Sequence, residues 1–271
     1  MIRTEQRNVN TMNLDKMSAL EIAKTMNQEN AASVAALEPV LPQVAQAIDI
    51  IADAFGKGGR MFYIGAGTSG RLAVQDAAEC PPTFGVSQEQ VMGICAGGMK
   101  ALVNASENIE DDPEGGVIEL KDRNLRACDV VVGISASGGA AYVCNALAYA
   151  KSLGCATVGI TSNPGSKLDQ MSDIAISPDT GAEVLTGSTR LKAGNAQKMI
   201  LNMLSTGAMV RSGYVYENLM INLKPSNIKL RGRVIRIVRE ITGYDESRAV
   251  ELLEQGNWVI RDALRIWKEC Q

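Results

Sequence analysis

Five short apolar runs, continuous rather than alternating, punctuate residues 60 to about 215: Met61–Ile64, Val91–Ala96, Val130–Ile134, Ala156–Ile160 and Ile174–Ile176. A strand that is apolar at every position has no side to give to water, so both faces of its sheet must be covered. Stretches with helical spacing lie between the runs and supply that cover. Three of the runs pass through Gly, Ser, Thr, Asn or Pro directly toward a helix, whereas Val91–Ala96 and Ile174–Ile176 lead into longer loops first. Strands alternating with helices predict crossover connections, and hence an α/β fold with a doubly wound parallel sheet, a flavodoxin-like sandwich.

Helical segments flank this region. Ser18-Ala19-Leu20-Glu21 is a capping-box pattern opening a helix through Met26, and Val44 to Phe55 is a second amphipathic run stopped by Gly58-Gly59. Beyond Lys224-Pro225 the chain becomes charged. A helix over Ile228 to Thr242, with Ser226 or Asn227 as its cap, carries Lys229, Arg231, Arg233, Arg236 and Arg239. Asp245 to Trp267 reads as two short helices broken at Gln255-Gly256-Asn257. The expected organisation is an N-terminal helical segment (1–55), an α/β domain (56–222) and a three-helix appendage of ubiquitin-associated type (223–271). The basic run suits a solvated face, a subunit contact or an anion. Met199–Met209 suits either a core helix or a helix at a subunit contact.

Composition removes several function classes. A net charge of −3 gives no basic field, so nucleic acid is not an expected partner. No uninterrupted apolar run approaches the roughly 20 residues that span a bilayer, so no membrane partner is expected either. Residues 1–8 lack the apolar stretch of a signal peptide, and the expected location is cytoplasmic. The six cysteines (80, 95, 128, 144, 155 and 270) are scattered without a Cys-x-x-Cys pair, as in a reducing compartment. Histidine is absent. An imidazole zinc site and any Ser-His or Cys-His nucleophile are thereby excluded, and proton transfer falls to carboxylates, Lys, Tyr or Cys.

Gly65-Ala66-Gly67-Thr68-Ser69-Gly70 follows the first strand and opens a helix. It matches the dinucleotide pattern, but that reading wants an acidic residue after the next strand, where Gly97-Gly98-Met99-Lys100 stands instead. The hydroxyls give a better account. A loop of Gly, Thr and Ser at a helix start offers free N–H groups, the positive end of the helix dipole and O–H donors to a phosphate. Ser135-Ala136-Ser137-Gly138-Gly139 repeats the design after the third strand, and Thr186-Gly187-Ser188-Thr189-Arg190 precedes a further helical run. One such loop is commonly a turn with a good cap. Three in one domain point to a small phosphorylated ligand at the carboxyl edge of the sheet.

Two longer stretches carry a resemblance. Tyr63 to Leu72 with Asp76-Ala77-Ala78-Glu79-Cys80-Pro81-Pro82-Thr83-Phe84-Gly85, and Glu183 to Gly194 followed by Ala196-Gln197-Lys198 and Leu201 to Met209, resemble the N-acetylmuramic acid 6-phosphate etherase family. Thr4-Glu5-Gln6-Arg7-Asn8 and Met26-Asn27 also fit, and the likeness runs from about residue 2 to 264. It implies the SIS (sugar isomerase) fold, a homodimer, no metal and no organic cofactor. It also implies elimination of D-lactate from C3 of the sugar phosphate, followed by hydration. The family's two catalytic carboxylates fall on Glu79 and Glu110. By the same resemblance Gly67, Thr68, Ser69, Ser135, Ser137, Gly138, Ser188, Thr189 and Lys192 bind substrate and phosphate, with Arg71 a further candidate.

On residue type alone, Glu79 before Cys-Pro-Pro and Glu110 beside Asp111, Asp112 and Glu114 are ordinary solvated carboxylates, and Arg71 or Lys192 equally suits a structural ion pair. The chain also departs from the family. Gly139-Ala140-Ala141 stands where Arg-Thr-Pro is usual, Ala78 replaces Ser, Ala182 replaces Pro, and the sequence ends a helix or more early. The same fold and Gly-Thr-Ser-Gly-Arg loop occur in the glucokinase regulatory protein, which only binds sugar phosphates. A sugar-phosphate-binding regulator and an aldose–ketose phosphate isomerase are therefore the alternatives. An isomerase needs a base at C2 but no acid aimed at a C3 leaving group, which favours the etherase reading.

Overall fold

The computed structural model describes residues 3–106, 108–222, 225 and 228–269. They fall into two compact units, Met1–Ala78 with Glu89–Ala208, and Glu79–Gln88 with Met209–Gln271.

The first unit opens with α1 (Ala19–Ala35) and α2 (Leu41–Gly56). Ser18 and Glu21 form the expected capping box. The helix continues past Met26 because its later turns are buried through polar groups, Glu29 and Ser33, which an apolar period does not register. On length and composition the 38 residues Ala19–Gly56 would pass for a membrane-crossing helix. They are two helices joined by a 3-10 turn at Glu38–Val40, with Pro39 and Pro42 at the joint. Pro cannot donate to the helical ladder and fits only at such starts.

All five apolar runs are strands: β1 (Met61–Gly65), β2 (Val91–Cys95), β3 (Val130–Ile134), β4 (Ala156–Ile160) and β5 (Ile174–Ile176). They pair in parallel in the order β2-β1-β3-β4-β5. Gly65 is level with Cys95 on one side and Ile134 on the other, so the central strands finish together. Between them run α3 (Gly67–Phe84), α4 (Gly98–Val103), α5 (Gly115–Asp122), α6 (Ala141–Ser152) and α7 (Lys167–Met171), followed by α8 (Lys192–Arg211).

Both faces of the sheet are covered, as continuous apolar strands require. Phe62, Ile64 and Val131 pack with Leu120 of α5, Val143 and Leu147 of α6 and Leu168 of α7. On the other face the Tyr63 hydroxyl donates to Leu201 O of α8 at 3.3 Å. Ile200, Leu201, Leu204 and Ala208 of α8 are fully buried, which makes this stretch a core helix. Buried side chains such as these each contribute roughly 1.5–3 kcal/mol.

The second unit contains a hairpin of β6 (Val215–Tyr216) and β7 (Leu219–Met220) with α9 (Ile228–Thr242), α10 (Glu246–Gln255) and α11 (Ile260–Glu269). Val234, Ile237, Val238, Leu252, Leu253, Ile260 and Leu264 form its core. Arg231, Arg236 and Arg239 remain exposed, and Arg231 stacks 4.3 Å from the Trp258 ring centroid. The basic run thus lies on an exposed face of this chain, with one cation–π contact among the described residues. The expected cap at Ser226 or Asn227 lies outside the described residues.

Gly70 sets how closely α3 approaches the strand ends. A Cβ there would lie 2.6 Å from Gly65 O and 2.7 Å from Cys95 Sγ. Gly70→Ala is expected to lower stability by about 1–3 kcal/mol through overpacking, measured by urea unfolding; an unchanged midpoint would show that α3 can move away freely.

Candidate active site

After β1 the chain enters α3 and reaches β2 on one side, while after β3 it enters α6 and reaches β4 on the other. The adjacent strands β1 and β3 therefore send their connections apart, which opens a crevice beyond their carboxyl ends. Two of the three hydroxyl-rich loops rise there.

In the first loop, α3 starts at Gly67, whose φ of +56° is one that side chains resist. Ser69 is buried, and its hydroxyl donates to Gln197 Oε1 at 2.9 Å. In the second loop, Ser135 Oγ accepts from Gly138 N at 3.1 Å and Ser137 Oγ accepts from Gly139 N at 3.3 Å. Gly138 has φ +70°, and a Cβ on it would sit 2.1 Å from Ser166 Oγ. α6 begins beside Ala140 with no side-chain cap, so its first N–H groups are open.

The third cluster behaves differently. The carboxylate of Glu183, fully buried, already accepts from Lys192 N at 2.8 Å and Ala193 N at 2.9 Å, filling the start of α8. Burial pushes the Glu183 carboxyl up, and the two backbone bonds only partly oppose it. Lys192 is not in the cavity wall. Its ammonium is buried against Glu29 Oε2 at 2.6 Å and Ala182 O at 3.1 Å, so the structural ion pair replaces the expected phosphate contact.

These loops enclose a cavity of about 260 Å³. Gly67, Thr68 and Ser69 form one wall, Ser135 and Ser137 a second, and Gly187 and Thr189 a third. Ser188 is not among the lining residues, and Gly138 acts by shaping its loop. Glu110, on the 3-10 turn Ile109–Asp111, stands at the rim and is exposed. Ile109 packs against the sheet core and seats that turn. A second cavity of about 360 Å³ shares Ala66, Gly67 and Glu110 with the first and adds Arg71, Ser106, Asn108 and Asp111. Glu79 is exposed near the far end of α3, twelve residues beyond Gly67, and belongs to the second unit.

One carboxylate escaped the sequence reading. Glu5 also lines the smaller cavity, and a Cβ on Gly187 would lie 3.2 Å from its Oε2. The signal was present in Thr4-Glu5-Gln6-Arg7-Asn8, which carried the resemblance without a role attached. Thr4 is fully buried, and Arg3 N donates to Asn163 Oδ1 at 2.9 Å, which holds this turn at the cavity. Asn8 and Asn10 side chains donate to the two oxygens of Glu29 at 2.8 and 2.9 Å. Burial pushes the Glu29 carboxyl up, but the bonds from Lys192, Asn10 and Asn8 outweigh it and hold it below the usual range.

Residues 43–151 match the glucokinase regulatory protein N-terminal SIS domain, and residues 115–207 match the SIS domain. Curated proteins of Yersinia pestis (strain Pestoides F) and Yersinia pseudotuberculosis (serotype O:1b, strain IP 31758), both named N-acetylmuramic acid 6-phosphate etherase, are 51% identical over 261 residues. The match covers 96% of this chain and 88% of each relative. The chain belongs to the N-acetylmuramic acid 6-phosphate etherase family. Its fold is that of phosphoheptose isomerases from Neisseria gonorrhoeae, with TM-score 0.54 and 19% identity over 70% of this chain and 97% of that one. The enzyme from Francisella tularensis gives 0.53 and 18% over 72% and 100%. Within this etherase-family chain, the hydroxyl cradle and Glu110 share one crevice, and Lys192 serves its scaffold.

Lys192→Met should leave Glu29 buried without its partner and cost about 3–5 kcal/mol at neutral pH. The lowered carboxyl of Glu29 stabilises the fold above its unfolded value of 4.5, and that share fades as pH falls through its folded value. The gap between natural protein and variant in urea unfolding should therefore narrow below pH 4.5; a gap independent of pH would contradict the assignment.

Proposed function

We propose that this chain is a carbon–oxygen lyase that cleaves the D-lactyl ether of N-acetylmuramic acid 6-phosphate, taking up water and giving N-acetylglucosamine 6-phosphate and D-lactate. The supporting observation is a hydroxyl-lined crevice at two helix starts with a carboxylate, Glu110, at its rim. The family supplies the substrate.

The phosphate is placed among Ser69, Ser135, Ser137 and Thr189, with the N–H groups at the starts of α3 and α6 adding donors. Among the described residues, the lining of this cavity holds no Lys or Arg. The Gly139-Ala140-Ala141 departure is consistent with that economy, since hydroxyls and backbone still surround the site. Glu110 is assigned the base. In the open-chain aldehyde the carbonyl acidifies the C2 proton, and Glu110 removes it. The C3–O bond then breaks as Glu79 protonates the departing ether oxygen, releasing lactate and leaving a 2,3-unsaturated aldehyde. The Glu79 carboxylate next takes a proton from water, hydroxide adds at C3, and Glu110 returns the proton to C2. Every proton is returned, and the net change is one water consumed.

Glu79 is exposed, and by the family resemblance we assign it the acid at C3, in a homodimer whose sites lie near the subunit contact. Glu79→Gln should stop lactate release yet still exchange the C2 proton for deuterium, whereas Glu110→Gln should lose both, as followed by NMR and a lactate assay. Co-expressed Glu79→Gln and Glu110→Gln subunits test whether one site draws its pair from two chains, since a mixed dimer would then restore one intact pair and regain release. No recovery would place both carboxylates in one chain. Exchange lost by Glu79→Gln and kept by Glu110→Gln would reverse the roles, and full activity in both variants would refute the site.

A further inference from the structure

We propose that Arg71 and the cavity around it form a carboxylate subsite that anchors the lactyl group of the substrate. The inference rests on the function proposed above and deepens it, since it sets the direction in which the sugar lies.

The substrate carries two anionic ends, a phosphate on C6 and a carboxylate on the ether substituent at C3. The crevice has two compartments of opposite chemistry. The smaller offers hydroxyls and open N–H groups, with Glu5 and Glu110 in its wall, but no cationic side chain among the described residues of its lining. The larger includes the guanidinium of Arg71 together with Ser106 and Asn108. The two meet at Ala66, Gly67 and Glu110. A molecule with its phosphate in the first and its carboxylate in the second must pass C2 and C3 across that shared wall. Glu110 stands there, where a proton has to leave C2. The reverse orientation would deprive the phosphate of the hydroxyl cradle and leave the carboxylate without a cationic partner.

Arg71 is built to hold a planar anion. Its Nε donates to Leu102 O at 3.1 Å and its Nη2 to Asn104 O at 2.8 Å, which fixes the plane of the fork. Carbonyls orient the guanidinium without neutralising it, and among the described residues it makes no ion pair. A half-buried cation held in this way, with its remaining donors available, matches a carboxylate better than a mobile lysine would. The α4 helix packs above, with Ala101 in the same wall. Arg71 thus discriminates a lactyl ether from a neutral one, and it leaves recognition of the phosphate to the other compartment.

The test is a cycle between residue and ligand, read by binding in the Glu110→Gln background so that nothing turns over. The ligands are N-acetylmuramic acid 6-phosphate, its lactamide analogue and N-acetylglucosamine 6-phosphate. With Arg71 present, the acid should bind roughly 10- to 100-fold more tightly than the amide, the range for a charge-assisted bond. With Arg71→Gln the two should bind alike, while N-acetylglucosamine 6-phosphate, which has no lactyl group, should keep its affinity. The proposal is overturned if Arg71→Gln retains the preference for the acid, or if it loses all three ligands equally, which would assign Arg71 a purely structural role. Lactate release by the natural protein is scored separately: its absence would refute the proposed reaction, whereas the acid-over-amide preference reports on the subsite alone.

Discussion

The site depends on one topological constraint, the divergence of the connections after β1 and β3. Two parallel strands lying side by side end level, Gly65 beside Ile134, and their chains leave in opposite directions. The gap cannot be filled by the crossovers themselves, and two helix starts face into it. Everything assigned to phosphate follows from that gap. Hydroxyls and N–H groups gather because short loops must turn there, and glycine at 67 and 138 permits the turns. A site of this kind gains its affinity from many weak, oriented donors rather than from one strong cation.

A second constraint keeps the walls in place. Glu29 on α1 receives Lys192 at the start of α8 and both Asn8 and Asn10 from the N-terminal segment. Ser33 donates to Lys192 O at 2.8 Å, and Thr11 donates to Val184 O at 2.9 Å. The two segments that carry Glu5 and Thr189 to the cavity are therefore tied through one buried carboxylate. Such a pair adds little net stability, since both ions lost water, but removing one partner is costly. It acts as a register pin for the loops, and this explains why Lys192, inside a hydroxyl-rich motif, does not line the cavity.

The sheet was legible because its signal is simple. Short, mostly apolar runs bounded by turn residues and alternating with helical stretches read as strands covered on both sides, and all five appear where the pattern put them, with ends shifted by a residue at most. The glycine–serine loops were legible because glycine after a strand supplies backbone angles that other residues resist. What sequence hid was burial by polar groups. Helix α1 runs nine residues past Met26 on the strength of Glu29 and Ser33, and an apolar period has no sensitivity to that. Lys192 suited a ligand by resemblance and a structural ion pair by residue type; its direction is set by Glu29, distant in sequence by 163 residues. Glu5 was hidden by the same distance: nothing near residue 5 reveals that the chain returns at Gly187.

The account reduces to a phosphate held at the strand ends while carboxylates work on C2 and C3. Its most direct test compares N-acetylmuramic acid 6-phosphate with unphosphorylated N-acetylmuramic acid as substrates, measuring D-lactate release by the purified protein. The account predicts release from the phosphorylated sugar and a kcat/KM lower by roughly 100-fold or more without the phosphate, since several charge-assisted bonds are lost together. Equal rates on the two sugars, or no lactate from either, would contradict it.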